Sequence, residues 1–175
     1  MASKEKRFTK LVNDHSNEVL RYLRNRIKVG SMIEAEDLLA EVMTVAWRAL
    51  DQVPAEAELA WLYAVARNRL LSEKSKLSRR SRILNRIRPI GQMPGVEDAV
   101  IADIAVKRAL DCMGATSRDV LLLSVWEGLS PSDIAIALGI SANAAAVRLS
   151  RAKSTFILAF HSELSENSAP LTDNN

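Results

Sequence analysis

Apolar residues recur along this chain at steps of three and four, and nowhere do they sustain the alternation that a strand needs, so the sequence is committed to packed helices. The first series runs Phe8, Leu11, Val12, His15, Val19, Tyr22, Leu23 and Ile27, one stripe with Arg21, Arg24, Arg26 and Lys28 largely off it. Gly30 and Ser31 are its expected stop. A second helix is expected over residues 35–50. Leu38, Leu39, Val42, Val45, Ala46 and Leu50 supply its apolar side, with Trp47 beside them. Glu34, Glu36 and Asp37 fall in its first turn, where the helix dipole favours acids. A short connection from Gln52 to Glu58, carrying Pro54, leads to a third helix that starts near Glu58 and holds Trp61, Leu62, Val65, Leu70 and Leu71.

The pattern thins from about Leu77 to Pro94, where Pro89, Gly91, Pro94 and Gly95 gather as in an extended linker. It resumes at Val96 in a helix expected to end near Met113 and Gly114. Thr116, with Asp119 three residues on, is the expected N-cap of the next, which closes at Gly128. Ser130, Pro131 and Asp133 repeat the start signal, Gly139 ends that short helix, and Ser141 caps a last one reaching about Phe160. The tail from Ser162 is polar and expected to fray. The expected fold is all-α. Two small helical domains, residues 1–80 and 96–162, are joined by a flexible linker, 81–95, and followed by a polar tail, 163–175; the C-terminal domain carries a helix-turn-helix.

Composition removes several classes of function. No apolar run approaches the roughly 20 residues of a membrane span, and the polar N-terminus has no apolar stretch behind its charges, so neither membrane insertion nor a secretory signal is expected. One cysteine, Cys112, excludes an internal disulfide and a multi-cysteine zinc cluster; it is expected in the core as a small apolar residue. His15 and His161 belong to no ligand motif. No phosphate-binding glycine loop or nucleophile–base pair is present, so the expectation is a cytoplasmic protein with no catalytic residues, metal or cofactor.

Charge supplies the positive signal. The net charge of +3 conceals a segment, 31–60, with seven acids against one base, and a segment, 64–90, with nine bases against one acid. A basic block on an otherwise acidic chain points to local contact with a polyanion. The helix-turn-helix, residues 129–153, points the same way. Ala135 is small where its helices approach, and Gly139 suits a positive φ. Ile134, Leu138, Ile140, Ala145, Leu149 and Ala152 form the expected internal face. Asn143, Ala144, Ala146, Val147, Arg148 and Arg151 then face outward. A helix fits the major groove, where Arg reads guanine, Asn reads adenine and a methyl packs on thymine. Segment 142–160 carries Arg148, Arg151 and Lys153 and no acid, so phosphate meets no local repulsion there.

Three segments together resemble the extracytoplasmic-function group of bacterial RNA polymerase sigma factors, over nearly all of residues 8–160. AEDLLAEVMTVAWRAL at 35–50 resembles the family's core-polymerase-binding helix. AWLYAVARNRLLSEKSKLSRR at 60–80 resembles its minus-ten promoter helix, and GISANAAAVRLSRAK at 139–153 its minus-thirty-five recognition helix. The resemblance implies a region 2-like domain, then a region 4-like domain, with core RNA polymerase, promoter DNA and an anti-sigma factor as partners. It places core-polymerase binding at Asp37, Leu38 and Glu41, with Ala40 where the family often has glutamine. Minus-ten contacts fall at Arg67, Asn68, Arg69, Lys74, Lys76, Arg79 and Arg80. The preceding loop, 51–58, resembles the one that captures a flipped base and offers Gln52. Ser72 stands where an acid is usual. Minus-thirty-five contacts fall at Asn143, Ala144, Ala146, Val147, Arg148, Arg151 and Lys153, with Ala146 at a position often basic. Arg79, Arg80, Arg82, Arg86 and Arg88 suit a connector that follows nucleic acid. Trp47, Trp61 and Tyr63 read as stacking platforms or as helix packing, and packing is expected of the two tryptophans.

Two other functions fit parts of the chain. A stand-alone helix-turn-helix regulator leaves the acidic helix and the basic third helix without a task. A sigma-like decoy that binds an anti-sigma factor has no need of the basic segments.

Overall fold

Local chemistry sets most of the helix ends in the computed structural model, which describes residues 2–27, 30–84 and 101–167, all of them in helices or the turns between. The contacts separate the chain into two compact units, Met1–Met93 with Ala135–Ile140, and Pro94–Ile134 with Ser141–Asn175.

In the first unit, α1 (Ala2–Arg24), α2 (Ala35–Arg48) and α3 (Glu58–Leu84) pack pairwise. Leu11, Val19 and Leu23 of α1, Leu38, Val42 and Ala46 of α2, and Leu62, Ala66 and Leu70 of α3 are buried at steps of four or eight residues, one face of each helix. Tyr22 and Tyr63 meet in this core with ring centroids 4.8 Å apart, and the Arg26 guanidinium lies 3.8 Å from the Tyr22 ring centre. Tyr63 is therefore a packing residue and not a stacking platform. Helix α1 stops at Arg24, ahead of the expected glycine stop, and passes into a turn in which the Asn25 and Ile27 N–H groups still reach back four residues, to Arg21 and Leu23, while the Arg26 N–H tightens to a three-residue bond on Leu23. A 3₁₀ turn, Leu50–Gln52, follows α2.

The third helix outruns its core. Leu70 is its last buried residue among the described side chains, yet the helix continues to Leu84, about 40 Å in all at 1.5 Å per residue. The expected linker thus begins as helix. Its remainder, 85–95, with Arg86 and Arg88, lies outside the described residues, as does the expected helix start at 96–100.

In the second unit, α4 (Ile101–Cys112) and α5 (Ala115–Val125) pack on α7 (Ala142–Asn167). Met113, Leu121 and Ala152 form the centre, with Leu110 and Phe156 against them. Helix α5 starts earlier than Thr116 predicts. Gly114 is its N-cap, and no side chain caps it. Arg118 spans the junction instead. Its guanidinium donates to the carbonyls of Asp111 (3.1 Å) and Met113 (3.3 Å), satisfying the end of α4, and pairs with the Asp111 carboxylate at 3.5 Å. Cys112, expected inside, is exposed because Met113 takes the buried position beside it. Helix α7 passes the expected end at Phe160 and reaches Asn167, and Glu163 in that extension pairs with Arg108 of α4 at 3.4 Å. Tail residues 168–175 lie outside the described residues.

The start of α6 (Pro131–Leu138) is a reciprocal capping box. The Asp133 N–H donates to Ser130 Oγ (3.2 Å), and the Ser130 N–H donates to the Asp133 carboxylate (3.3 Å). Its end is a Schellman turn, with Gly139 at φ +65°, the Gly139 N–H on the Ile136 carbonyl and the Ile140 N–H on the Ala135 carbonyl. Ser141 Oγ then accepts the N–H of Ala144 and starts α7. A short helix, a glycine turn and a capped second helix follow one another as a helix-turn-helix requires. A Cβ at residue 139 meets nothing within 4 Å, so Gly139→Ala is expected to cost only the left-handed backbone strain of about 1–2 kcal/mol. Denaturant titration measures that cost.

Candidate nucleic-acid and partner interfaces

Three surfaces collect the residues that the sequence singled out. The first is the start of α2. Asp37 and Glu41 are exposed one turn apart, and Glu34 and Glu36 stand beside them at the N-terminal end of the helix. Arg24 of α1 hydrogen-bonds the Glu36 carboxylate and, with the Glu36 backbone, holds that carboxyl below its ordinary range. A folded pKa lowered in this way adds stability above the unfolded value and loses it as pH falls through the folded one. The pair is solvent-exposed, so its weak effect is confined to the acid range. Glu41 also lies 3.9 Å from Arg69 of α3. Leu38, expected among the polymerase contacts, is only 2% exposed and is core. It holds the helix while its neighbours face out. Leu38→Ala is expected to destabilise the chain by about 2–5 kcal/mol, read as a shift of the denaturation midpoint.

The second surface runs from the α2–α3 loop along α3. Leu50 and Val53 are buried, at 1% and 3% exposure, so Asp51 and Gln52 between them stand outward. Val53 is extended, φ −71° and ψ 116°, as the residue before a proline must be. Asn68, Arg69, Lys76 and Arg79 are exposed and Arg67 is half-buried. Lys74 donates to the Arg26 carbonyl at 2.9 Å, which ties α3 to the turn after α1. The Arg80 side chain lies outside the described residues. A shallow groove beside these groups has Val45 and Val65 as its floor and Asn68, Arg69 and Ser72 on its rim. Trp47 corrects an expectation. It is 38% exposed, edge-on to Phe8 at 5.1 Å, with the Lys4 ammonium 5.1 Å from its ring centre. Trp61 is half-buried.

The third surface is the first half of α7. Asn143, Ala146, Val147, Arg148, Arg151 and Lys153 are exposed, whereas Ala144 is half-covered beside its cap. Arg148 and Arg151 sit three apart and share a face with Ala144. The residues that follow them, Ala145, Leu149 and Ala152, lie about 100° round the helix and are buried, so the inward positions of α7 fall where the sequence places them.

Arg7 carries no signal in the sequence. Its guanidinium donates to the Val53 carbonyl at 2.6 Å and lies 3.7 Å from the Glu58 carboxylate, which is also 3.5 Å from His15 Nε2. Partners 46 residues apart leave no local pattern to find. Among the described residues no three of His, Cys, Asp or Glu stand close enough to hold a metal ion, and no single helix is long and apolar enough to cross a membrane.

Comparison with known proteins gives two family matches in the order of these surfaces. Residues 11–80 match sigma-70 region 2, and residues 103–156 match sigma-70, region 4. The chain is 27% identical over 144 residues to the ECF RNA polymerase sigma factor SigL of Mycobacterium tuberculosis, covering 79% of this chain and 80% of that protein. It is 26% identical over 134 residues to the RNA polymerase sigma factor CnrH of Cupriavidus metallidurans, covering 69% and 70%. Among solved structures it is similar to the sigma factor RpoE of Bartonella quintana, crystallised with the anti-sigma factor NepR. There the TM-score is 0.57, the identity 25%, and the cover 82% of this chain and 92% of that one.

Proposed function

Because the chain belongs to the sigma-70 family, in its extracytoplasmic-function group, we propose that it binds core RNA polymerase through α2 and directs the enzyme to promoters through α3, the loop before it, and α7. The observation that carries this reading is the order of three charged surfaces: an acidic patch on α2, a basic α3 in the same matched region, and an acid-free basic face on α7 in the second.

Asp37 and Glu41 are the groups on α2 exposed to a basic partner surface, with Leu38 setting their direction from inside. On α3, Asn68, Arg69, Lys76 and Arg79 contact the opened minus-ten element, and Arg67, Lys74 and Arg80 extend that track along phosphates. Gln52 hydrogen-bonds an unstacked base presented to the loop. Arg148, Arg151 and Asn143 read the minus-thirty-five element in the major groove, Ala144, Ala146 and Val147 offer apolar contact, and Lys153 meets phosphate. The region 2-like and region 4-like domains, 1–80 and 96–162, then work as separate DNA-reading modules joined through 81–95. The protein lends specificity and catalyses nothing itself. Its place of work is the cytoplasm, where polymerase and chromosome are. An anti-sigma factor that covers these surfaces is the natural regulator, as NepR is the partner of RpoE in the similar complex.

Titration of the purified chain into core RNA polymerase without DNA tests the first half of this reading. Saturable binding that competing sigma factor displaces is expected. Run-off transcription on fragmented genomic DNA then yields the promoters. A folded chain that fails to bind core but selects duplex DNA alone overturns the proposal in favour of the stand-alone regulator.

A further inference from the structure

We infer that Arg7, on the N-terminal helix, is a positioning residue for the α2–α3 loop and sets how Gln52 meets an unstacked promoter base. The inference rests on the reading of that loop as the base-capturing element.

Arg7 touches both ends of the connection. Its Nη2 donates to the carbonyl of Val53, the residue directly after Gln52, and the same guanidinium faces Glu58, the first residue of α3. The same nitrogen makes both contacts, so one end of the planar, permanently charged guanidinium stands between a hydrogen-bonded carbonyl and an ion-paired carboxylate, and a lysine keeps the charge but not that planar, fixed-direction donor. The surroundings hold the guanidinium in place. Phe8, next in sequence, packs edge-on against Trp47 near the end of α2, and Leu11, one turn on, is fully buried. His15 approaches the other oxygen of Glu58. The loop's own bonds lie on its amide side: the Gln52 N–H reaches the Ala49 carbonyl at 2.8 Å and the Ala57 N–H the Pro54 carbonyl at 3.1 Å. The Val53 N–H reaches the Leu50 carbonyl at 3.2 Å, and Pro54 has no N–H to give. Without Arg7, the Val53–Pro54 peptide, one residue beyond Gln52, loses the side-chain anchor on its carbonyl. Asp51 and Gln52 then stay on the 3₁₀ turn, held by its two backbone bonds and the burial of Leu50 and Val53, but the chain leaving that turn is no longer fixed from α1.

The test uses the full chain with core RNA polymerase on fork-junction DNA from one of its own promoters, with each of the four bases placed in turn at the unstacked position. Arg7→Ala is expected to weaken binding of the fork junction about 10-fold, as loss of a charge-assisted hydrogen bond does. It should also flatten the four-base preference as Gln52→Ala does, with the double variant no worse than either single one. Core binding should stay within about 2-fold, since surface changes away from a contact have small effects. Arg7→Lys, which keeps the charge but not the planar, fixed-direction donor, should keep part of the preference. A variant Arg7→Ala with wild-type base preference, beside a Gln52→Ala that has lost it, overturns the inference and leaves the loop reading standing. A Gln52→Ala with intact preference removes the loop reading and the inference with it. If Arg7→Ala does not fold, Arg7→Lys decides: reduced preference at an unchanged melting temperature supports the inference, and full preference overturns it.

Discussion

Replacing Asp37 and Glu41 together by lysine is expected to weaken binding to core RNA polymerase about 100-fold or more, the consequence of several kcal/mol of like-charge contact where attraction had been. Both carboxylates are exposed on consecutive turns of α2, so a partner docked there would meet their charge directly. The fold should survive. Glu41 contributes only a 3.9 Å surface pair with Arg69, and Asp37 a first-turn dipole interaction of about 0.3–1 kcal/mol. Leu38, which does hold the helix, is untouched. A lysine at 41 would also stand beside Arg69 and add positive charge to the exposed basic side of α3, so nucleic-acid affinity should not fall. Parallel titrations with core enzyme and with single-stranded minus-ten DNA, beside a melting curve, separate these effects. Equal loss in both titrations would mean that α2 is not a dedicated polymerase surface.

Changing Arg148 and Arg151 together to alanine should have the complementary outcome. Each good base contact is worth about 1–3 kcal/mol, so the pair should cost roughly 100-fold in recognition of the upstream element and leave binding to core within about 2-fold. Neither side chain has an ion-pair partner among the described residues, and both are exposed, off the buried face of α7 formed by Ala145, Leu149 and Ala152. Truncation therefore removes charge without opening the core. The dependence on salt distinguishes base from phosphate contact. Losing a phosphate-bound arginine lowers the slope of log affinity against log salt by about one and weakens all sequences alike, whereas losing a base reader relaxes specificity at one position. Full promoter selectivity in the double variant would mean that α7 does not read the upstream element.

The acidic and basic segments, the helix-turn-helix and the outward Asn143, Arg148 and Arg151 were legible in the sequence because charge and helical period are local properties. The capping box of Ser130 and Asp133, the turn at Gly139 and the cap at Ser141 were legible for the same reason: every partner lies within five residues. Thr116 shows the limit of such reasoning. It has the residue type of a cap, but Arg118 already satisfies the end of α4 and the next helix begins at Ala115.

Sequence alone determined an all-helical chain, the order of its charged surfaces and most helix starts, since each follows from backbone hydrogen bonding and the 3.6-residue period. Tertiary structure decided which apolar side chains fill the interior. Leu38 is core rather than contact, Trp47 is surface rather than core, and Cys112 is exposed beside a buried Met113. It also decided how far α3 and α7 run past their expected ends, and it brought Arg7 to a carbonyl 46 residues away. Burial and long-range pairing depend on which faces of different helices meet, and the period of a single helix carries no record of that.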